Sequence, residues 1–201
     1  MEKVKSIILL RHGETGLSGK YVGCSDVDLH PDGTLQILES RQLLRGCKIE
    51  KIYCSPLLRC RQTLELLSLN VPVEIRQNLQ EVNFGQWEGR SSSEIADSDP
   101  DLLKTWGDEP DNFVFPGGES IEHFRSRVKK FWEELKLQDQ HSLLIISHGG
   151  VIRTLLCLML ELPFEKEFIF AILPGRFAVV RLFQEGAILE GLNLGGKLWQ
   201  R

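Results

Sequence analysis

The residues SIILLRHG at positions 6–13 and SLLIISHG at positions 142–149 follow the same pattern. Each is an apolar run of strand length that ends at a His-Gly pair, His12-Gly13 in the first and His148-Gly149 in the second. Continuous apolar runs are typical of strands buried on both faces of a parallel sheet. If both strands lie near the middle of one sheet, both imidazoles emerge at its carboxyl edge, where α/β sheets bind ligands.

Strand-like and helical patterns alternate along the rest of the chain. We predict strands over residues 4–10, 49–54, 71–75, 142–146, 177–183 and 187–193, and helices over residues 32–45, 56–69, 121–135 and 151–160. The last two strands form a terminal hairpin. This alternation predicts an α/β fold, a three-layer αβα sandwich around a mostly parallel sheet. We expect a single domain over residues 1–201, in which residues 79–118 form an irregular, partly helical, cap-like insertion that covers the active site.

The composition argues against several classes of partner and location. Lys and Arg number 24 against 28 Asp and Glu, so the net charge of −4 leaves no electrostatic footprint for nucleic acid or an anionic membrane. His148 and Arg153 interrupt the most apolar stretch, which argues against a membrane span. The apolar run before Arg11 is too short for a signal peptide, and five cysteines without a CxxC motif indicate reduced thiols. We therefore expect a cytoplasmic protein.

Two arginines and a glutamate are expected to join the histidines. Arg11 adjoins His12, and Arg59 lies one helical turn beyond the second predicted strand, near a helix N-terminus, where anions are favoured. Guanidinium and imidazole groups together suit a dianionic phosphate. A neutral imidazole with one free nitrogen is a nucleophile toward phosphorus, and Glu81 is the best candidate for the acid that protonates the leaving oxygen. We predict phosphoryl transfer to His12 without a metal or another cofactor.

Five motifs support this prediction. They are Arg11-His12-Gly13-Glu14-Thr15, Ser55-Pro56-Leu57-Leu58-Arg59 with Thr63, Glu81 with Gly85-Gln86-Trp87-Glu88-Gly89, Pro116-Gly117-Gly118-Glu119-Ser120, and Ser147-His148-Gly149-Gly150. In this order they resemble the histidine phosphatase superfamily, which has the phosphoglycerate mutase-like fold. The resemblance implies that His12 becomes phosphohistidine and that Glu81 protonates the leaving group and then activates water. It also implies that the phosphoryl oxygens are bound by Arg11, Arg59 and His148.

A finer resemblance concerns the substrate, a small phosphomonoester. The residues Gly19-Lys20-Tyr21-Val22-Gly23, followed by Ser25-Asp26-Val27-Asp28-Leu29, are most similar to α-ribazole phosphatases, which remove the 5′-phosphate of a cobalamin precursor. Related patterns occur in broad sugar-phosphate phosphatases and in mutases, and both stay as alternatives. The family implies substrate contacts from Thr15, Ser18, Tyr21, Val22, Gly23 and Gly149. Ser18 departs from the family pattern, which commonly has Asn there, so a serine hydroxyl or a backbone N–H would have to supply that polar contact.

An aromatic leaving group would need an apolar pocket with walls on which it can stack. The candidates for these walls are Tyr21, Phe84, Trp87, Trp106, Phe113 and Phe115. For most of these residues we expect packing in the core beneath the insertion instead.

Three other functions were weighed against this prediction. A cysteine phosphatase needs five residues between its Cys and its Arg, whereas four separate Cys54 from Arg59. A metal-dependent hydrolase would use as ligands His12, His148, Asp26 and Asp28, but the adjacent arginines would repel a divalent cation. A non-catalytic phosphate-binding or regulatory module on the same fold would commonly lack the nucleophile or the acid, and this chain has both.

Overall fold

The computed structural model describes residues 4–196. Its strands are β1 (Lys5–Arg11), β2 (Lys51–Cys54), β3 (Val73–Ile75), β4 (Ser142–Ser147), β5 (Phe177–Phe183) and β6 (Gly186–Leu194). They form one sheet in the order β3-β2-β4-β1-β5-β6. The pairs β1–β4, β2–β4 and β2–β3 are parallel, while β5 runs antiparallel to β1 and β6. The mostly parallel sheet and the terminal hairpin are therefore as predicted.

Helices cover both faces of this sheet. They are α1 (Pro31–Leu44), α2 (Leu58–Leu67), α3 (Ser92–Ser98), α4 (Pro100–Asp108), α5 (Ile121–Lys136) and α6 (Gly149–Met159). Buried side chains of α1 and α2 pack against Ile8 and Leu10 of β1 on one face. Those of α5 and α6 pack against Ile7 and Leu9 on the other face. Because alternate residues of a strand point to opposite faces, one apolar strand serves both layers, and the predicted αβα sandwich is confirmed.

The register of the sheet brings the two His-Gly segments together. Arg11 of β1 lies opposite Ser147 of β4, so His12 and His148 each come one residue after a paired position. The His12 N–H donates to the Ser147 carbonyl at 3.0 Å, which extends the ladder by one bond. Helix α6 begins at Gly149, two residues earlier than predicted, and α2 begins at Leu58, two residues later than predicted.

Residues 79–118 contain α3, α4 and short 3₁₀ turns at Gly85–Trp87 and Pro110–Asn112. Their apolar side chains join the core that underlies α5 and α6. Within the described part of the chain, no helix combines the length and apolarity that crossing a membrane requires.

Candidate active site

His12 is the first residue after β1, and only 7% of its surface is exposed. Its Nδ1 lies 2.7 Å from the Gly13 carbonyl oxygen, which can only accept, so Nδ1 carries the proton. Nε2 then holds the lone pair and accepts the Arg59 Nε–H at 3.2 Å. Burial and the cations Arg11 and Arg59 hold the pKa of His12 well below its ordinary value of 6.5. The imidazole is therefore neutral, with its nucleophilic nitrogen fixed in direction.

His148 lies beside His12 at the end of β4, with ring centroids 5.1 Å apart, and it is fully buried. Its Nε2 is 2.8 Å from the Ser55 hydroxyl, which follows β2 and also accepts the Leu57 N–H. Burial, followed by the Arg59 charge, holds the pKa of His148 well below 6.5.

Arg59 is a fully buried cation in the first turn of α2. Its Nη1 donates to the Ser25 carbonyl at 2.8 Å and its Nη2 to the Gly23 carbonyl at 2.7 Å. Arg11, the second cation, donates from Nη1 to the Ile172 carbonyl at 2.6 Å. Burial lowers the pKa of both guanidiniums from 12.5, but they remain charged at neutral pH. Carbonyl dipoles rather than carboxylates hold them, so their positive charge stays available to an anion.

Glu88 holds the loop that positions Arg59, a role that the sequence does not indicate. Its carboxylate accepts hydrogen bonds from the backbone N–H groups of residues 23, 24, 25 and 84 at 3.0–3.3 Å, and one from the Ser25 hydroxyl at 2.6 Å. The carbonyls that bind Arg59 belong to two of these residues, Gly23 and Ser25. The Trp87-Glu88-Gly89 motif was the available signal, but the motif alone does not show which backbone the carboxylate binds.

Glu81 follows the 3₁₀ turn at Gln77–Leu79 and faces the start of α6. Its Oε2 accepts the Gly150 N–H at 2.9 Å and its Oε1 accepts the Val82 N–H at 3.2 Å. Arg127 of α5 donates to the backbone carbonyls of Gln80 at 2.7 Å and Glu81 at 3.0 Å. The backbone that carries Glu81 is thus held by the partly buried guanidinium of Arg127, a role that the sequence does not indicate.

A polar cavity of about 210 Å³ unites most of the predicted site residues. Its lining includes Arg11, His12, Thr15, Ser18, Val22, Arg59 and Glu81. Ser18 is exposed at its rim, in the loop where the family commonly has Asn.

Four of the predicted site residues lie outside this lining. The Gly23 carbonyl accepts a hydrogen bond from Arg59. Gly149 packs its Cα against Arg11 and Arg153. Tyr21 lines a neighbouring cavity, and His148 lies beneath His12.

The two aspartates that were weighed as metal ligands are engaged elsewhere. Asp26 accepts the Leu58 N–H at the start of α2, and Asp28 accepts the Gln62 side-chain N–H at 2.8 Å. Between residues 4 and 196, no group of three or more His, Cys, Asp or Glu side chains is arranged to hold a metal ion. The arrangement at His12 combines a neutral nucleophile, two cations and one carboxylate, which are the groups that phosphoryl transfer requires.

Comparison with known proteins agrees with this chemistry. The family model of the histidine phosphatase superfamily (branch 1) matches residues 7–195. The chain is 32% identical over 190 residues to the adenosylcobalamin/α-ribazole phosphatase of Salmonella typhimurium, which covers 92% of this chain and 94% of that protein. It is 29% identical over 193 residues to phosphoserine phosphatase 1 of Hydrogenobacter thermophilus, covering 94% and 92%.

Solved structures give the same result for the fold. The α-ribazole phosphatase from Shigella flexneri superposes with a TM-score of 0.88 at 27% identity, covering 98% of this chain and 100% of that chain. The predicted fold and the family resemblance are both confirmed. The chain belongs to the histidine phosphatase superfamily and, as predicted, is a phosphoric monoester hydrolase.

Proposed function

We propose that this chain hydrolyses a small phosphomonoester in two steps through a phosphohistidine on Nε2 of His12. The observation that carries the proposal is the state of the imidazole. Its Nδ1–H is fixed on the Gly13 carbonyl, its pKa is well below 6.5, and its Nε2 lone pair faces the Arg59 guanidinium. A nucleophile of this kind needs no deprotonation before it attacks.

In the first step, the Nε2 lone pair of His12 forms a bond to phosphorus while the bond from phosphorus to the ester oxygen breaks. The Arg59 Nε–H, which bonds His12 in the free protein, then donates to a phosphoryl oxygen instead. Arg11 neutralises charge on the other oxygens, where the charge of the transition state is spread, and the neutral His148 donates a hydrogen bond to one of them. Glu81, in its protonated form, gives its proton to the leaving oxygen.

In the second step, the Glu81 carboxylate takes a proton from a water molecule that attacks phosphorus, and the N–P bond breaks. Inorganic phosphate and neutral His12 result, so the site returns to its starting state. The backbone N–H of Gly150 on Oε2 and the clamp of Arg127 support one carboxylate position for both roles. Thr15, Ser18 and Val22 complete the polar cavity as substrate contacts, while Gly23 and Gly149 act through the arginines.

The substrate that we propose is α-ribazole 5′-phosphate, or a close phosphomonoester of the same nucleotide-loop chemistry. Support comes from two α-ribazole phosphatases, one related in sequence and one in structure. A sugar-phosphate phosphatase, a mutase and a non-catalytic phosphate-binding module are the alternatives. We also propose that residues 1–201 act as one domain, with residues 79–118 as the cap, because this segment supplies Glu81, Phe84 and Trp106 to the site. A cytoplasmic location stays a prediction.

A substrate panel tests the proposed function. Purified protein is assayed with α-ribazole 5′-phosphate, sugar phosphates, 3-phosphoglycerate, phosphoserine and nucleotides, each with and without a strong chelator. We expect release of phosphate, the highest kcat/KM for α-ribazole 5′-phosphate, no effect of the chelator and loss of turnover in His12→Ala. Turnover that the chelator abolishes would contradict the mechanism, and absence of turnover with every ester would favour the binding module.

A further inference from the structure

A second cavity, with a volume of about 260 Å³, lies beside Glu81, and its lining does not include His12. Glu81 lines both this cavity and the polar cavity. We infer that this second cavity, which we term the leaving-group cavity, binds a flat, uncharged aromatic ring carried by the leaving alcohol. The inference rests on the proposed function, because the acid must contact the leaving oxygen, and the rest of the leaving group then extends past Glu81.

Six aromatic side chains line this cavity. They are Tyr21, Phe84, Trp106, Phe115, Phe124 and Phe168. The rings support one another, with centroid distances of 5.0 Å between Tyr21 and Phe84, 4.9 Å between Phe84 and Phe115, and 5.1 Å between Trp106 and Phe115. Rings fixed in such contacts present faces that need no ordering when a flat ligand enters.

The other two aromatic candidates lie elsewhere. Trp87 and Phe113 are buried in the core beneath these walls. The predicted set of six thus divides into four that line the cavity and two that support it.

The charged residues of the cavity already have hydrogen-bond partners in the folded protein. Arg125 donates to Glu167 at 3.0 Å and to Asp111 at 2.5 Å. Arg153 donates from Nε to the Phe170 carbonyl at 3.0 Å, and its guanidinium lies 5.6 Å from the centre of the Phe168 ring. A charged leaving group such as serine would lose its hydration among aromatic rings and compete with these contacts. An uncharged ring meets neither penalty.

The volume of the cavity limits the size of the group that it can hold. Sites for drug-sized molecules usually span about 300–1,000 Å³. At about 260 Å³, the leaving-group cavity has room for one ring system.

Phe168 and Ile169 provide a matched pair of variants at the cavity mouth. Phe168 is 65% exposed and lines the cavity, whereas Ile169 is 63% exposed and does not. Neither side chain belongs to the core, so both alanine variants should fold. Trp106→Ala is the second cavity variant, with thermal unfolding as the check on its fold.

The test compares α-ribazole 5′-phosphate with ribose 5-phosphate, which has the same reacting oxygen but no base. The measured quantity is the ratio of their kcat/KM values. We expect wild type to favour the ribazole ester by at least about tenfold, since stacking of a base on an aromatic side chain contributes about that factor or more. Phe168→Ala and Trp106→Ala should each lower the ratio by roughly tenfold, while Ile169→Ala should retain it.

The outcomes separate this inference from the proposed function. Equal kcat/KM for both esters in wild type, or a preference for phosphoserine, would overturn the inference while phosphatase activity stands. A ratio that falls equally in Phe168→Ala and Ile169→Ala would also overturn it. Absence of turnover with every ester would refute the proposed function itself, and the inference with it.

Discussion

Replacing Glu88 with glutamine should weaken catalysis without touching a single reacting atom. The Glu88 carboxylate fixes the backbone of residues 23–25, and the Gly23 and Ser25 carbonyls fix the Arg59 guanidinium, whose Nε lies 3.2 Å from His12 Nε2. Glutamine has nearly the same shape but only one acceptor oxygen. Its amide NH₂ would face backbone N–H groups, and because both are donors no hydrogen bond would form between them.

The size of the effect follows from the bonds lost. One oxygen of Glu88 accepts from Cys24 and Phe84, and the other accepts from Gly23 and twice from Ser25, so at least two hydrogen bonds disappear. Each unmade bond to a partly buried donor costs about 1–3 kcal/mol, so the loop is destabilised by roughly 2–6 kcal/mol. A shift of about 1 Å at a group that binds the transition state lowers the rate by about 10²-fold. We expect kcat/KM to fall roughly 10–100-fold.

A double-mutant cycle shows whether Glu88 acts through Arg59. The assay is hydrolysis of 4-nitrophenyl phosphate by wild type, Glu88→Gln, Arg59→Met and the double variant, with thermal unfolding measured in parallel. If Glu88 positions the guanidinium, its substitution should cost less than about twofold once Arg59 is methionine. Glu94→Gln is the control, because Glu94 also accepts a backbone N–H but does so in the capping box of α3, away from the site. The same fold loss in both backgrounds would refute the reasoning.

Three further predictions concern protonation and the space around Glu81. Because the folded protein holds the pKa values of His12 and His148 well below 6.5, the unfolded chain binds more protons as the pH falls through 6.5. The two histidines therefore make their full contribution to the free energy of unfolding above pH 6.5. Below pH 6.5 this contribution declines by at most about 1.4 kcal/mol per pH unit for each histidine. Thermal unfolding of His148→Gln should depend less on pH, and an unchanged slope would contradict this. Glu81→Gln should slow alkyl phosphates far more than 4-nitrophenyl phosphate, whose leaving group needs little protonation, and equal losses would argue against an acid role. In Gly150→Ala a Cβ would lie 2.5 Å from Glu81 Oε1, so we expect roughly tenfold slower turnover of alkyl phosphates. Gly107→Ala, with no atom within 4 Å of its added Cβ, is the control, and equal activity of the two variants would refute the expected displacement of Glu81.

The framework of the site was predictable because local signals carry it. An apolar run that ends at His-Gly indicates a buried strand and a sharp turn, and two such runs predict the neighbouring ends of β1 and β4. The helical position of Arg59 predicted its approach to the same edge, which its contact with His12 matches.

The supporting contacts were not predictable in this way. Glu88 and Arg127 bind backbone groups as far as 65 and 49 residues away in sequence, and a backbone N–H or carbonyl leaves no signature in the sequence. The contact between Ser55 and His148 likewise depends on the pairing of β2 with β4. Nor does composition show which of two aromatic residues faces a cavity, since Trp87 and Trp106 differ only in where α4 and the 3₁₀ turns place them.

Trapping the intermediate tests the central claim most directly. Rapid acid-free quenching of the protein with a fast-cleaving ester such as 4-nitrophenyl phosphate, followed by peptide mass spectrometry at high pH, should locate one phosphoryl group on His12. The bond should be stable in base and labile in acid. His12→Ala should show no phosphoryl group, whereas His148→Ala still contains the residue that accepts it. A phosphoryl group on another residue, or steady turnover with no phosphoprotein at any time point, would contradict the account.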